Sequence, residues 1–351
     1  MIFACILTFV FVLSACGQKA PASNNKDSDS EPAVTTKPNE GLEKVIYLTP
    51  GTLGDNAFSD SVNSGIQKIA KDYGAESKVI ENSFDTSKYS QSVEAAFQWA
   101  PDVIFTDAYG MEDLVKEYAD RYPDVKVVNL DFVLQNESET ISSVTFIQEE
   151  GSFMAGVVAA LITTSDLEFA NPEKIVGAMG GQDIPVIRSF IHGFEQGVRY
   201  KDPEIQVITN FAGTFSDPAK GKQAAKQLFA QGADIVFQIA GLTGNGALEA
   251  AAEEGKYVIG VDSNQNPLYP GHVVTSMVKD LGGAVYDIYS KMVNGEYENN
   301  QVYEYGLGPN GVYLATDEYT KDILTEEMLA KIAEIEEKVI KGEIVVERYQ
   351  E

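Results

Sequence analysis

The chain is poor in the residues from which active sites are usually assembled. In 351 residues it has two histidines, two cysteines and one tryptophan. His192 and His272 stand far apart and in no His-Glu-x-x-His setting, and Cys5 and Cys16 cannot supply a four-ligand zinc site. No Gly-x-Ser-x-Gly elbow and no Gly-x-x-x-x-Gly-Lys-[Ser/Thr] phosphate loop occurs. No catalytic residue, metal site or cofactor is therefore expected. Basic residues are also scarce: 26 Lys and Arg face 53 Asp and Glu, a net charge of −27. That balance excludes nucleic acid, whose readers are basic, and adsorption to anionic lipid. The opening apolar run, residues 2–15, is shorter than the roughly 20 residues a membrane-spanning helix needs.

That run, "IFACILTFVFVLSA", is a signal-peptide core, although no Lys or Arg precedes it. Leu13-Ser14-Ala15-Cys16 matches the lipobox of bacterial lipoproteins, so residues 1–15 are expected to be removed and Cys16 to be lipidated. Cys5 leaves with the signal, and no disulfide framework remains. From Cys16 to residue 43 the chain is polar and rich in Ser, Pro and Asn, a flexible tether. The expected place is the outer face of the cytoplasmic membrane, held by lipid alone. The remaining 300 or so residues are enough for two lobes of ordinary size.

Those residues repeat. "AAFQWAPDVIFTDAYG" (95–110) and "KQLFAQGADIVFQIAG" (226–241) share a helix end, a buried strand and a glycine turn. Each is followed by a second strand ending in aspartate, "VKVVNLD" (125–131) and "KYVIGVD" (256–262). Each half also opens alike, as strand, glycine loop and helix, with Gly65 and Gly193 at equivalent places on the helices. Short continuous apolar runs alternating with helices are parallel strands covered on both faces. Ligands bind outside the carboxyl ends of such strands, so two facing lobes would enclose a cleft with their strand-end loops. Asp55, Asn56 and Phe58 would face it from the first loop, then Asp107 and Tyr109, and Asp131. The second half would supply Arg188, Phe190, Phe215, the loop from Gly241 through Gly244 to Gly246, and Asp262. Lys279 would lie near the hinge. The glycine loop reads Gly-x-x-Gly-x-Gly, not the dinucleotide order Gly-x-Gly-x-x-Gly, so a close backbone approach to a neutral ligand suits it better than phosphate.

The runs "GDNAFSDSVNSGI", "GSFMAGVVAAL", "GGQDIPVIRSFIHGFEQG", "TFSDPAKGK", "GADIVFQIAGLTGNG", "YVIGVDSNQ" and "SMVKD", in that order, resemble the basic membrane protein family. These are purine nucleoside receptor lipoproteins, the substrate-binding proteins of ABC importers. The resemblance covers Lys44 to Glu351. It implies an α/β type I periplasmic-binding-protein fold: two doubly wound parallel-sheet lobes joined by a three-segment hinge. Residues 44–146 plus 280–307 would form one lobe, and 147–279 plus 308–351 the other. It also implies a nucleoside ligand, a partner permease and ATPase, a monomer, and binding without turnover. Where the family reads Asp-Lys-Ser-Phe-Asn, this chain reads Asp55-Asn56-Ala57-Phe58-Ser59, so Asn56 is the amide left to reach the base edge. The residue chemistry agrees: Phe58 and Phe190 suit a flat base, Asp262 the ribose hydroxyls, Asp131 the base edge or ribose, and Lys279 the ribose. A sugar or autoinducer receptor on the same fold, an exported nucleosidase working through Asp131 and Asp262, and a sensor feeding a membrane kinase are the alternatives.

The last predicted element spans 325–344. Thr325 caps it, Glu326 and Glu327 fill its first turn, and Gly342 follows its end. Its apolar stripe predicts a helix packed on the outside of a lobe, away from the cleft.

Overall fold

A computed structural model describes residues 42–308 and 311–350. The apolar run, Cys16 and the tether up to residue 41 lie outside them. Runs of β-branched and aromatic residues form the strands, and most strands are followed by a stretch that returns the chain as a helix. The first half runs β1 (Lys44–Thr49), α1 (Phe58–Tyr73), β2 (Glu76–Glu81), α2 (Tyr89–Gln98), β3 (Val103–Thr106), α3 (Glu112–Arg121), β4 (Lys126–Leu130) and β5 (Ile141–Phe146). The second runs α4 (Gln148–Thr163), β6 (Ile175–Gly180), α5 (Pro185–Lys201), β7 (Gln206–Phe211), α6 (Pro218–Ala230), β8 (Ile235–Ile239), α7 (Gly244–Glu254), β9 (Tyr257–Asp262) and β10 (Val273–Lys279). Then come α8 (Leu281–Asn294), β11 (Val302–Tyr305), β12 (Val312–Leu314), α9 (Glu318–Ile323) and α10 (Glu326–Ile340).

Two six-stranded sheets result, ordered β11-β5-β4-β3-β1-β2 and β12-β10-β9-β8-β6-β7. The orders are the same pattern twice, as the repeat in the sequence requires. All pairings are parallel except that of β12 with β10. Each sheet is covered on both faces: α1 and α8 lie against one side of the first sheet and α2 and α3 against the other. In the second sheet α4 and α5 oppose α6 and α7. Both sheets are thus buried on both faces, which is why their strands read as unbroken apolar runs.

Glycines set the helix approach. A Cβ on Gly65 would sit 2.4 Å from the carbonyl of Gly282, where α1 crosses α8. A Cβ on Gly193 would sit 2.3 Å from the carbonyl of Glu149, where α5 crosses α4. The two glycines matched in the sequence therefore make matched helix crossings.

The chain passes between the sheets three times, at Ile147, at Asp280 and between β11 and β12. The three passages bond to one another: the Ile147 amide donates to the Tyr305 carbonyl at 2.9 Å, and the Asp280 amide to the Gly311 carbonyl at 2.8 Å. Helix α10 begins as expected, with the Thr325 hydroxyl accepting from the Met328 amide at 3.2 Å. Its Ile332, Ile335 and Val339 are buried, while Ile340 at its end is 59% exposed. No helix among the described residues is long and apolar enough to cross a membrane.

Candidate functional site

The loop from Gly54 to Ser59 enters α1 with its amides turned inward. The Asp55 carboxylate accepts from the Ala57, Ser59 and Asp60 amides at 2.8–3.1 Å, and Asp60 accepts from those of Gly54 and Asn56 at 2.8 Å. These bonds supply the orphan donors of a helix start and hold Asn56 in the left-handed region, at φ 54°. Phe58, the first residue of α1, is thereby aimed between the lobes.

Between the strand ends lies a space of about 850 Å³, its open mouth included. The first lobe lines it with Asp55, Phe58, Ser59, Phe84, Asp107, Tyr109, Asp131 and Phe132, among others. The second lines it with Ile184, Ile187, Phe190, Phe215, Gly241, Leu242, Asp262 and Lys279. Phe58 and Phe190 approach from opposite lobes, and Lys279 Nζ stands 5.5 Å and 4.8 Å from their ring centres.

Lys279 is 1% exposed and forms an ion pair with Asp131 across the cleft. The rings of Phe58, Phe146 and Phe190 around it offer the ammonium their negative faces. Asp131 and Asp262 end equivalent strands, and both adopt positive φ, at 81° and 63°. A pair of non-glycine residues in that region costs on the order of 1–3 kcal/mol each, which the surrounding fold must supply. The strain turns both carboxylates into the cleft. Burial pushes the Asp262 carboxyl up to about 7, with the Lys279 ammonium opposing and the charges of Asp131 and Asp55 adding. Burial likewise pushes Asp107 up to about 7, where a hydrogen bond from Thr49 at 3.4 Å opposes and the Asp131 charge adds. The other oxygen of Asp107 is enclosed and has no partner among the described residues.

Of the residues expected from the sequence, Asp55, Phe58, Asp107, Tyr109, Asp131, Phe190, Phe215, Gly241, Asp262 and Lys279 are brought to this one space. Asp55 comes with its carboxylate already committed to its own loop. Three do not come. Asn56 is exposed on a neighbouring surface hollow, because the left-handed turn that presents Phe58 points its side chain away. Gly244 faces inward on the protein instead: a Cβ there would meet Gln238 Oε1 at 1.8 Å. The glycine makes room for that buried amide, not for a ligand. Arg188 forks onto Asp183 with two 2.6 Å bonds and lies over Phe211.

Phe84 was not legible at all. It follows Ser83, and both have positive φ, held by bonds from the Ser83 amide to the Gly51 carbonyl at 2.8 Å and from the Phe84 amide to the Pro50 carbonyl at 2.5 Å. Its ring meets Phe215 of the other lobe at 6.1 Å, stacked, and Tyr109 meets Phe215 edge-on at 6.4 Å. Two successive non-glycine residues in the left-handed region carry no sequence signal.

The comparisons with known proteins agree with this architecture. A family model described as "ABC transporter substrate-binding protein PnrA-like" matches residues 42–350. Basic membrane protein A of Borreliella afzelii is 28% identical over 311 residues, covering 87% of this chain and 92% of that protein. An ABC transporter solute-binding protein from Aeropyrum pernix K1 superposes with a TM-score of 0.78 at 23% identity, over 88% of this chain and 94% of that one. A glucose-galactose binding protein from Geobacillus stearothermophilus superposes with a TM-score of 0.60 at 14% identity, over 81% and 100%. At these identities the two structures show the shared fold only.

Proposed function

Because this chain belongs to the PnrA-like family of ABC transporter substrate-binding proteins, we propose that it captures a nucleoside between its lobes and delivers it to a permease and its ATPase. The observation that carries this reading is the pair Phe58 and Phe190, reaching from opposite lobes toward one buried ammonium. Two aromatic faces flanking a slot suit a flat base, at about 1–3 kcal/mol of stacking each. The polar groups beside the slot suit a ribose. Asp262 accepts no hydrogen bond among the described residues, and Lys279 spends one donor on Asp131 and keeps two. A carboxylate with free lone pairs and an ammonium with free protons are the partners that vicinal hydroxyls need. The cleft is rich in carboxylates and its one lysine is already paired, so a neutral ligand fits it better than a phosphorylated one.

Calorimetry against nucleosides, free bases and sugars tests the reading. Asp262→Ala should weaken nucleoside binding by about 2–4 kcal/mol, roughly 30-fold to 1,000-fold, through lost charge-assisted bonds. A 2′-deoxy ligand should lose most of its own penalty in that variant and keep it in Phe58→Ala, where only stacking is removed. Equal 2′-deoxy penalties in the parent protein and the Asp262 variant would rule out the ribose contact. Tight binding of free ribose or a hexose would favour the second reading, a sugar receptor on the same fold.

The sequence supports attachment through a lipid on Cys16, with the lobes on the outer face of the cytoplasmic membrane as a monomer. The same chain acts as a receptor and not an enzyme in this reading.

A further inference from the structure

The two lobes touch at more than the cleft. The loop that carries Phe58 spends its amides on Asp55 and Asp60, and of its Asp55, Asn56 and Ala57 carbonyls only that of Ala57 is shared with its own lobe, accepting from the Ser61 amide at 3.0 Å. Three successive carbonyls are then taken by three side chains of the other lobe. Asn245 Nδ2 donates to the Asp55 carbonyl at 3.1 Å, Gln265 Nε2 to that of Asn56 at 3.0 Å, and Ser263 Oγ to that of Ala57 at 3.0 Å. None of the three donors lines the cavity. Gln265 is fully buried, and its orientation is set by Gln238, whose amide donates to Gln265 Oε1 at 2.7 Å. This is the amide for which Gly244 makes room.

We propose that Asn245, Ser263 and Gln265 are positioning residues: they latch the first lobe's loop in the closed arrangement and set how long a ligand is held, without touching it. The bonds exist only while the lobes are together. When they part, the three carbonyls pass to water at little loss, so the latch favours closure modestly and leaves each lobe's own fold unaffected. Because the loop also presents Phe58, closing the latch seats one wall of the slot. A ligand that bridges the lobes then departs only after the latch opens, so the effect falls on dissociation more than on association.

The proposal rests on capture between two lobes but not on the ligand's being a nucleoside. The test is the double variant Asn245→Ala/Ser263→Ala in the whole protein, with Ser263→Thr as the conservative partner. Adenosine dissociation is followed by stopped flow, and the radius of gyration of the ligand-free protein by small-angle scattering. The double variant should release adenosine about tenfold faster with association unchanged, since two neutral hydrogen bonds that hold the lobes together are lost. Its ligand-free radius should rise, its melting temperature should stay, and Ser263→Thr should behave as the parent. Either kinetic or scattering change in that direction supports the latch. Unchanged dissociation and unchanged radius, or a lower melting temperature with neither, would overturn it. Where the parent protein binds no adenosine, the nucleoside reading fails, and the scattering comparison alone decides the latch.

Discussion

At the residue scale, the cleft is a place where carboxyls are crowded against one another. Asp107 is the sharpest case, because one of its oxygens is enclosed without a partner and Asp131 adds a negative charge nearby. Its folded value, about 7, stands above the ordinary 3.8. The folded chain therefore binds this proton more tightly than the unfolded chain does. The sign follows: stability from this group is fully present below about pH 4 and is lost as pH rises through about 7. Asp107→Asn removes the titration. The stability difference, variant minus parent, should grow in the variant's favour between pH 5 and pH 8 by on the order of 1 kcal/mol or more. Denaturant unfolding of both proteins across that range measures it, and a difference flat with pH would show that Asp107 titrates elsewhere. Strand-end aspartates and the aromatics at helix starts were readable from the sequence, since position in a repeated unit implies direction. Asn56 and Phe84 were not, because a left-handed backbone reverses where a side chain points; a phenylalanine gives no sign of it and an asparagine only a weak one.

At the scale of elements, the glycines carry the architecture. Helix propensity alone says that Gly156→Ala in α4 should stabilise the chain by up to about 1 kcal/mol. Packing says the opposite: a Cβ at 156 would lie 2.1 Å from the Phe194 carbonyl and 2.8 Å from the Val198 amide of α5. Backbone cannot give way as a side chain can, so α4 and α5 must move apart. Overpacking of that kind costs about 1–3 kcal/mol and should win. Equilibrium unfolding in urea should show a lower midpoint for Gly156→Ala, and a raised midpoint would mean the helices are held less closely than described. The strands and helices themselves were legible, because buried parallel strands read as apolar runs and the helices as periodic ones. The lone strand that runs against its neighbours, β12, was not, since three residues hold no period.

At the scale of the whole molecule, a net charge of −27 disfavours electrostatic adsorption to a membrane, so the proposed location depends on the proposed lipid at Cys16. Exposed anionic surface is repelled by anionic lipid, so charge adds nothing to that attachment. Cys16→Ser should move the protein from the membrane pellet to the soluble fraction in a cell fractionation, with its ligand affinity unaltered. Retention in the pellet after the signal has been removed would point to a different attachment. The cleft belongs to this scale as well. The ion pair of Lys279 with Asp131 joins residues 148 positions apart, and the latch joins positions about 190 to 209 apart.

By itself, the sequence determined the two-fold repeat, the parallel α/β class, the strand ends at which a cleft must open and the charged residues that face it. It could do so because period, burial and chain direction are local properties repeated along the chain. Only the tertiary structure decided which glycines face the cleft and which meet a neighbouring helix or amide, as Gly241 and Gly244 show. It alone revealed that Asp55 is occupied by its own loop, that Asn56 turns outward, and that Asn245, Ser263 and Gln265 meet three consecutive carbonyls. The physical reason is that these outcomes depend on backbone dihedrals at single positions and on the approach of segments distant in sequence. Neither leaves a periodic trace in the order of residues.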